Sequence, residues 1–334
     1  MGFAGKLLVL TAALTATVAP SVASAAPPSG ELTAKRLVTG LQGSIGSTVG
    51  PDGALYVTES AVGRITRVDP RTGATSTFAS GLPRTIPAVG LGGAMDVAFL
   101  GRTAYVLVSM VGPDLGGQDV VGIYRVDGPT RVTVVADIGQ FALDNPPEPA
   151  FFIPSGVQFA MEPYRGGFLV TDGHHNRVYR VTLDGTVREL IAFGDIVPTG
   201  LAVRGRTIYL AQAGPVPHLP ENGKVVKFGP RSTTARQVAS GAPLVVDVEF
   251  GRGHRLYALS QGHFTPGNPE GSPADPNSGA LVRVNRDGTM TRVVANLDRP
   301  ASLEFIRNTA YVVTLGGDVL KIKNVSGPHH GASK

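Results

Sequence analysis

Leu55-Tyr56-Val57-Thr58 is the first of six copies of a short pattern that decides the fold of this chain. Each copy begins with an apolar segment, which has Tyr at its centre in all but one case. A loop follows, and then a second segment in which a basic residue precedes an apolar residue. The other five apolar segments are Ala104-Tyr105-Val106-Leu107, Phe168-Leu169-Val170-Thr171, Ile208-Tyr209-Leu210-Ala211, Leu256-Tyr257-Ala258-Leu259 and Ala310-Tyr311-Val312-Val313. The basic residues of the second segments are Arg67, Arg125, Arg180, Lys227, Arg283 and Lys321. The centres recur every 40 to 64 residues, which is the period of propeller blades once loop insertions are allowed.

Each repeat is predicted to form four strands, which we call a to d. The third repeat shows this order most clearly, with strands at 153–159, 168–171, 177–181 and 186–191. The last repeat ends after its third strand, and a matching strand at 34–39 precedes the first repeat. We therefore predict an all-β, six-bladed β-propeller of four-stranded blades, whose N-terminal strand completes the last blade and closes the ring.

The beginning of the chain has the pattern of an export signal. Lys6 precedes an apolar run at 7–18, and Ala23-Ser24-Ala25 is an A-x-A cleavage sequence. The apolar run is too short to span a bilayer comfortably, so we expect no membrane span. The predicted organisation is a signal peptide at 1–25, a linker at 26–32, the propeller at 33–325 and a disordered tail at 326–334. Cleavage near Ala25/Ala26 would release a secreted protein, extracellular or in the cell envelope.

Composition limits the remaining possibilities. The chain has no Cys, so export brings no disulfides, and its 44 Gly and 26 Pro suit a β protein with many turns. The net charge is only +5, and one basic residue per blade looks scattered over the molecule instead of gathered into a stripe. We therefore expect a monomer without a nucleic-acid partner.

Loop lengths indicate which end of the propeller carries function. Strands alternate in direction, so the b–c and d–a connections emerge on one face, which we call the loop face. The a–b and c–d connections emerge on the other, which we call the turn face. Nearly all long insertions belong to the loop face, where binding residues are expected. Candidate ligand contacts there are Phe141, Asp144, Asn145, Phe151, Phe152, His218 and Phe264, although the aromatic rings could simply pack the loops down.

Strand a of each blade should line the central channel, and several of these strands carry acidic residues. Aligning the repeats places Asp96, Asp247, Glu249, Glu304 and the amide of Gln158 around the channel. Such an oxygen-rich set could hold Ca²⁺, which takes six to eight oxygen ligands. The alternative is that these groups bond only water and backbone N–H groups. An alignment error of one residue would also reverse the direction of a side chain.

The b–c connection of the third repeat places His174 and His175 between Asp172 and Arg177. Two histidines beside a carboxylate on a solvent-facing loop could bind metal or move protons. Glu59 and Arg64 have the same spacing in the first repeat, so the carboxylate and the arginine are predicted to form a structural pair joining strands b and c. The sequence contains no Cys nucleophile, G-x-S-x-G, H-E-x-x-H or P-loop pattern.

Several stretches carry a resemblance to a known family. They include Gly50-Pro51-Asp52-Gly53-Ala54-Leu55-Tyr56-Val57, Val135-Ala136-Asp137-Ile138 and Val197-Pro198-Thr199-Gly200-Leu201-Ala202. The repeats resemble NHL-type and SMP-30-like blades, and more closely the ScyD/ScyE-type family of secreted β-propellers, over about residues 33 to 325. The family often has a polar stretch entering blade 3, but this chain reads Phe151-Phe152-Ile153-Pro154-Ser155-Gly156 there. The resemblance implies the fold and export, and it identifies no catalytic residue.

Three functions follow from these features as hypotheses. The first is a non-catalytic module that binds a small molecule, glycan or protein through the loop face. The alternative is a Ca²⁺-assisted lactone hydrolase or lyase, in which a channel ion polarises a carbonyl and His174 or His175 acts as the base. The third is a purely structural channel cation. No cofactor other than Ca²⁺ is implied.

Overall fold

A computed structural model describes residues 32–327, with the exception of residue 270. Twenty-four strands form six separate four-stranded antiparallel sheets, which are the blades of a six-bladed β-propeller. The predicted fold class is confirmed. The predicted signal peptide, nearly all of the linker and most of the tail lie outside the described residues.

Blades 1 to 5 each contain four consecutive strands. Blade 1 contains β2 (Ser44–Val49), β3 (Leu55–Glu59), β4 (Arg64–Val68) and β5 (Thr75–Ser80). Blade 2 contains β6 (Gly93–Leu100), β7 (Thr103–Ser109), β8 (Gly122–Gly128) and β9 (Arg131–Asp137). Blade 3 contains β10 (Gln158–Tyr164), β11 (Gly167–Asp172), β12 (Arg177–Thr182) and β13 (Val187–Ala192). Blade 4 contains β14 (Pro198–Arg204), β15 (Thr207–Gln212), β16 (Lys224–Phe228) and β17 (Arg236–Ser240). Blade 5 contains β18 (Val245–Phe250), β19 (Leu256–Ser260), β20 (Gly279–Val284) and β21 (Met290–Leu297).

Blade 6 is built from both ends of the chain. It contains β22 (Pro300–Ile306), β23 (Thr309–Thr314), β24 (Val319–Lys323) and, as its outer strand, β1 (Lys35–Val38). Lys35 pairs with Lys321 and Val38 with Val319 in an antiparallel register. Because the first strand pairs with β24 and completes the last sheet, the two ends of the chain close the ring, as the sequence predicted.

Burial between neighbouring blades holds the ring together. Every residue of β3 and of β19 is buried, because strand b of a blade is covered on both faces. One apolar cluster joins blades 6 and 1 through Val57, Val313 and Val38. Another joins blades 2 and 3 through Leu107, Phe168 and Tyr179. Apolar side chains therefore point to both sides of each inner strand, as expected for sheets packed face to face.

Blade 3 departs from the sequence prediction. Its strand a is β10 (Gln158–Tyr164) and not residues 153–159, and a two-residue turn joins it to β11. Pro154 cannot donate to a strand ladder. Gly156 has a φ of +77°, and a Cβ there would collide with the Asp172 carboxylate. The apolar run before residue 158 therefore forms a turn, and the strand begins later.

The long d–a connection between blades 2 and 3 contains a helix that the sequence analysis did not predict. Asp137 is the N-cap residue of helix α1 (Ile138–Asp144), and its side chain accepts a hydrogen bond of 2.8 Å from the Gln140 N–H. Single 3₁₀ turns lie at Pro113–Leu115 and Arg252–His254. Across the described residues, no helix has the length and apolar character needed to cross a membrane.

Candidate functional site

Strand a of each blade runs along the central channel and contributes one side chain to each of two rings. Strand pairing fixes which residues belong to each ring. The strand a residue that pairs with the Tyr position of strand b belongs to the second ring, and the residue two positions earlier belongs to the first. The first ring contains Gly46, Asp96, Ala160, Gly200, Asp247 and Ser302. The second contains Thr48, Ala98, Glu162, Ala202, Glu249 and Glu304. Five carboxyl groups therefore lie in the channel, grouped around one cavity of about 60 Å³.

The two aspartates of the first ring join neighbouring blades. Asp96 Oδ2 accepts a hydrogen bond of 2.8 Å from the Met161 N–H of blade 3, and Asp247 Oδ2 accepts one of 2.7 Å from the Leu303 N–H of blade 6. Each Oδ1 accepts from the following backbone N–H, at 2.8 Å in both cases. Both carboxylates are thus bonded at each oxygen, which gives them a structural role in the ring.

The residue facing each of these aspartates from the preceding blade is glycine. A Cβ at Gly46 would touch Asp96, and a Cβ at Gly200 would touch Asp247. The pattern of a glycine in one blade and an aspartate in the next therefore follows from close packing at the channel wall.

The glutamates of the second ring have a different environment. The lining of the cavity contains Glu162, Glu249 and Glu304 but no Lys, Arg or His. Burial, followed by the neighbouring carboxylates Asp96 and Asp247, raises the pKa of Glu162 to about 8. Burial and the other channel carboxylates also raise the pKa values of Glu249 and Glu304 well above their ordinary value.

The aspartates show the same effect. Burial, opposed by their backbone hydrogen bonds, raises the pKa of Asp96 to about 8 and that of Asp247 to about 7. Because no basic side chain compensates these groups within the lining, part of the cluster holds protons near neutral pH. The channel is therefore a proton-binding cluster of five carboxyl groups.

A divalent cation is the other way to neutralise these carboxylates. Carboxylate and hydroxyl oxygens are the donors that Ca²⁺ prefers, so the chemistry of the channel suits it. However, nowhere in the described chain do three His, Cys, Asp or Glu side chains come close enough together to hold a metal ion. The spacing thus does not form a ready ion site, and the Ca²⁺ site stays a prediction.

Gln158 is not part of the channel rings. It pairs with Asp172 at the start of β10, where its side chain donates to Asp172 Oδ2 at 3.0 Å and accepts from Ser109 Oγ at 2.8 Å. The place assigned to it by the sequence alignment belongs to Glu162, four residues later. Counting back from strand b through the Arg165-Gly166 turn would have identified Glu162, which the sequence analysis missed.

His174 and His175 are buried, contrary to the expectation of a solvent-facing loop. The Ile153 N–H donates to His174 Nε2 at 3.2 Å, and His175 Nε2 lies 3.1 Å from the Ile153 carbonyl oxygen. His175 Nδ1 lies 3.5 Å from Asp172 Oδ2. Burial lowers the pKa of His174. Neither histidine lines the channel cavity, so the structure does not bring these candidate bases to the channel carboxylates.

Asp172 organises this buried cluster. It accepts hydrogen bonds from Tyr179 Oη at 3.0 Å, from the Val157 N–H at 3.0 Å and from the His175 N–H at 2.9 Å. Arg177 instead pairs with Glu189 at 3.0 Å, so the predicted Asp172–Arg177 pair does not form. The corresponding pair in blade 1 does form. Arg64 Nε donates to Oε1 of the buried Glu59 at 2.9 Å, and Arg64 Nη2 donates to Glu59 Oε2 at 2.8 Å.

The aromatic candidates of the loop face differ in their exposure. The Phe141 ring packs on the Tyr179 ring, with 5.7 Å between the ring centroids. The buried Phe264 ring packs on the buried His218 ring, with 5.2 Å between the centroids. These rings hold the long loops down. The Phe152 ring is 70% exposed, although its edge contacts His174 at 4.4 Å.

The other candidates of the loop face lie beside these rings. Phe151 is half-buried and contacts both histidines. Asp144 and Asn145 are exposed at the end of helix α1. Phe152, Asp144 and Asn145 are therefore the candidates that a ligand could reach most easily.

No family model matches the chain, and no curated protein sequence matches it. Solved structures match it in fold. A calcium-binding protein, regucalcin, from Agrobacterium tumefaciens aligns with a TM-score of 0.59 at 12% identity, covering 89% of this chain and 96% of that one. A gluconolactonase from Xanthomonas campestris aligns with a TM-score of 0.59 at 14% identity, covering 86% and 88%. Virginiamycin B lyase from Staphylococcus aureus aligns with a TM-score of 0.52 at 13% identity, covering 88% and 99%.

These similarities define the class of the protein. It is a six-bladed propeller similar in architecture to SMP-30/gluconolactonase and virginiamycin B lyase structures. At these identities the likeness shows the fold alone. The closer resemblance to the ScyD/ScyE-type family stays a prediction.

Proposed function

We propose that this protein is an enzyme, a hydrolase or lyase in which channel carboxyl groups transfer protons to and from the substrate. The observation that carries the proposal is the cluster of five carboxyl groups without a basic partner in the cavity lining. In a structural ion pair a carboxylate lies beside arginine or lysine. The acids of this cluster lie together in a confined space without such a basic partner in the cavity lining. Unpaired acids of this kind are typical of proton-transfer sites.

The pKa values fit the proposed role. An efficient general acid or base has a pKa near the working pH, and the pKa of Glu162 is raised to about 8, with those of Glu249 and Glu304 also raised well above their ordinary value. In ester hydrolysis a protonated carboxyl group can then donate to the leaving oxygen as its bond to the acyl carbon breaks, while an ionised neighbour takes a proton from the water whose oxygen forms the new bond to that carbon. No step of this proposal depends on a bound metal ion.

The two rings have different tasks in this proposal. Asp96 and Asp247 are bonded to backbone N–H groups of the next blade and act as positioning residues. Glu162, Glu249 and Glu304 form the proton-transfer group. His174 and His175, which the sequence analysis considered as bases, stabilise the entrance of blade 3 through Ile153 and Asp172.

The comparisons support the reaction class without identifying residues. The structures similar in fold include a gluconolactonase and virginiamycin B lyase. A lactone or ester substrate is the class of molecule in which proton transfer to a leaving oxygen assists ring or chain opening. We therefore propose cyclic or linear esters as the first substrates to test.

The test is an assay of the protein against a panel of lactones and esters, made with metal-free protein and again with Ca²⁺ added. We expect turnover in the metal-free protein, and a loss of at least about a hundredfold in Glu249→Gln. Thr48→Val is the matched control, since it changes the same ring without removing an acid. Turnover that is equal in wild type and Glu249→Gln, or no turnover of any panel member, would contradict the proposal.

A second candidate function is a binding module that uses the loop face. It is favoured by the exposed apolar side chains there, which are Leu143, Phe152, Val216 and Leu219. Screening against glycan and small-molecule arrays tests it, with Phe152→Ser as the variant and Leu183→Ser on the turn face as the control. Binding that survives Phe152→Ser but not Leu183→Ser would contradict it.

We also propose that the protein belongs to the ScyD/ScyE-type family, is monomeric and acts outside the cytoplasm. The export pattern at 1–25 supports this location. The mass of the protein recovered from its native host tests the location. A mature chain that begins near Ala26 is expected, and an intact N-terminus in the cytosol would contradict export.

A further inference from the structure

The two faces of the propeller carry opposite charge. The a–b and c–d connections of the turn face contain nine arginines and four aspartates, counted between the strand ends of the described chain. The b–c and d–a connections of the loop face contain nine acidic residues and two arginines among the described residues. The modest net charge of +5 therefore hides a strong separation of charge.

The nine arginines come from every blade and are all exposed. They are Arg71, Arg102, Arg165, Arg206, Arg231, Arg252, Arg255, Arg286 and Arg307. Arg71 of blade 1 is 87% exposed, with Asp69 at 3.9 Å. Because they lie around the whole ring, they form a basic surface and not a row or a stripe.

Strand topology explains why the sequence concealed this surface. The second segment of each repeat is strand c, and its basic residue lies towards the end of that strand. Every strand c runs towards the turn face, so the basic residue of this segment adds to the arginines of the turns in every blade except blade 3, where Arg180 is buried. The basic residues are spread around the ring, and the fold also places most of them towards one face.

The shape of the turn face limits the kind of partner. Its connections are at most seven residues long, whereas the loop face has connections of up to twenty residues. Among the large apolar side chains that are exposed, Leu183 is the one that lies in a turn-face connection. A surface with short turns, arginines around its whole circumference and no Phe, Tyr or Trp in its connections suits a planar polyanion. It lacks the stacking groups that single-stranded nucleic acids require.

Blades 6 and 1 form a groove within this surface. The groove has a volume of about 580 Å³, and its lining includes Arg67, Arg71, Arg307, Lys321 and Lys323. Burial lowers the pKa of Lys321, and the adjacent Lys323 adds to this effect. The Lys321 ammonium group donates to the Pro70 carbonyl oxygen. The groove thus holds more positive charge than its two aspartates, Asp52 and Asp69, compensate.

Arg307 lies in a left-handed turn beside this groove. It has a φ of +58° in its a–b turn, where blades 2 and 4 have Gly101 and Gly205 at +61° and +63°. A non-glycine residue in this conformation costs about 1 kcal/mol or more. The chain accepts this strain and presents an exposed guanidinium group at the groove.

We propose that the turn face binds the surface of an anionic lipid bilayer, with the loop face directed away from it. Arginine side chains pair with lipid phosphates in a fork geometry, and the acidic loop face is repelled by the same surface. The contact is electrostatic, without insertion into the hydrocarbon region, because Leu183 is the single large exposed apolar side chain of the described turn-face connections.

Flotation of the protein with vesicles tests this proposal. The vesicles are phosphatidylcholine alone, or phosphatidylcholine mixed two to one with phosphatidylglycerol. We expect binding to the anionic vesicles at about 0.1 M salt and release at about 1 M, where the Debye length falls from about 10 Å to about 3 Å. Binding to neutral vesicles to the same extent, or no binding to anionic vesicles, would overturn the proposal.

A pair of charge-matched variants locates the contact. Arg102→Gln with Arg206→Gln removes two turn-face charges, and we expect binding about 25-fold weaker, at roughly fivefold per arginine. Arg84→Gln with Lys224→Gln removes two charges from the loop-face end and should leave binding unchanged. Melting curves establish that both variants are folded.

Equal weakening in the two variants would show a dependence on net charge only and would overturn the proposal. The proposal would also be overturned if soluble polyphosphate or a DNA duplex bound to the turn face while anionic vesicles did not bind. In that case the partner would be a soluble polyanion.

Discussion

Glu162→Gln should make the stability of the protein less dependent on pH. The pKa of Glu162 in the folded protein is raised to about 8 by burial and by the neighbouring carboxylates, against an ordinary value of 4.5. The folded state therefore keeps a proton that the unfolded chain has already released. Stability from this group is complete below about pH 4.5 and is lost as the pH rises through about 8. A glutamine amide is neutral throughout and has no such loss.

The magnitude follows from the difference between the two pKa values. At about 1.4 kcal/mol per pH unit it corresponds to at most about 5 kcal/mol. The full value is not expected, because water reaches the channel side chains in part. Removing one carboxylate also reduces the charge repulsion among the other channel acids, so the pH dependence is shared among them. We therefore expect Glu162→Gln to be about 2 kcal/mol more stable than wild type at pH 9, about 1 kcal/mol more stable at pH 6, and close to wild type at about pH 4.

Urea unfolding of metal-free protein at several pH values measures this difference. Glu221→Gln, on the exposed loop face, is the matched control, and its curve should follow that of the wild type. The reasoning would be refuted if Glu162→Gln lost stability between pH 6 and pH 9 as steeply as the wild type. It would also be refuted if the variant were less stable than the wild type at pH 9.

Three further predictions concern the scaffold. Glu59→Gln should lower the free energy of unfolding by about 2–3 kcal/mol, because it leaves Arg64 without its buried bidentate partner; an unchanged urea midpoint would contradict this. Gly200→Ala should cost about 2–3 kcal/mol, since the new methyl group meets Asp247, while Gly194→Ala, with open space around it, should be neutral; equal effects in the two variants would refute the close packing. Deletion of the chain through β1 should lower the melting temperature and cause self-association by exposing the edge of β24, and a monomer with wild-type stability would show that ring closure is unimportant.

The fold was largely accessible from the sequence, because its signal is written in every repeat. Buried strands such as β3 have an aromatic residue at a fixed place, and the missing fourth strand of the last repeat predicted the closing role of β1. In blade 3 the apolar run from residue 153 predicts an earlier start for strand a than the structure has, because the run contains Pro154 and Gly156. A local turn prevailed there over apolar character.

The candidate site was accessible only in part. Asp96, Asp247, Glu249 and Glu304 line one cavity, as the alignment of the repeats placed them. Glu162 was missed because the register error moved Gln158 into its place. The burial of His174 and His175 depends on the loop that carries Ile153, which lies outside their own connection and 21 residues before His174. Repeat alignment identifies ring positions, whereas contacts between separate loops require the folded chain.

The separation of charge between the two faces required the topology. The nine arginines of the turn face lie in the connections between strands, and nothing in their spacing indicates that these connections share one face. The alternation of strand direction, repeated in six blades, places them all there. Net charge alone therefore gave a misleading expectation about possible partners.

Infrared titration of metal-free protein tests the central claim most directly, because it detects protonated carboxyl groups by their carbonyl stretch. At pH 7 the account predicts a band from buried protonated acids, which disappears as the pH rises through about 8 and is weaker in Glu162→Gln. A spectrum without protonated carboxyl groups at pH 7 would contradict it. The five channel acids would then be ionised, and protons could not be their means of neutralisation.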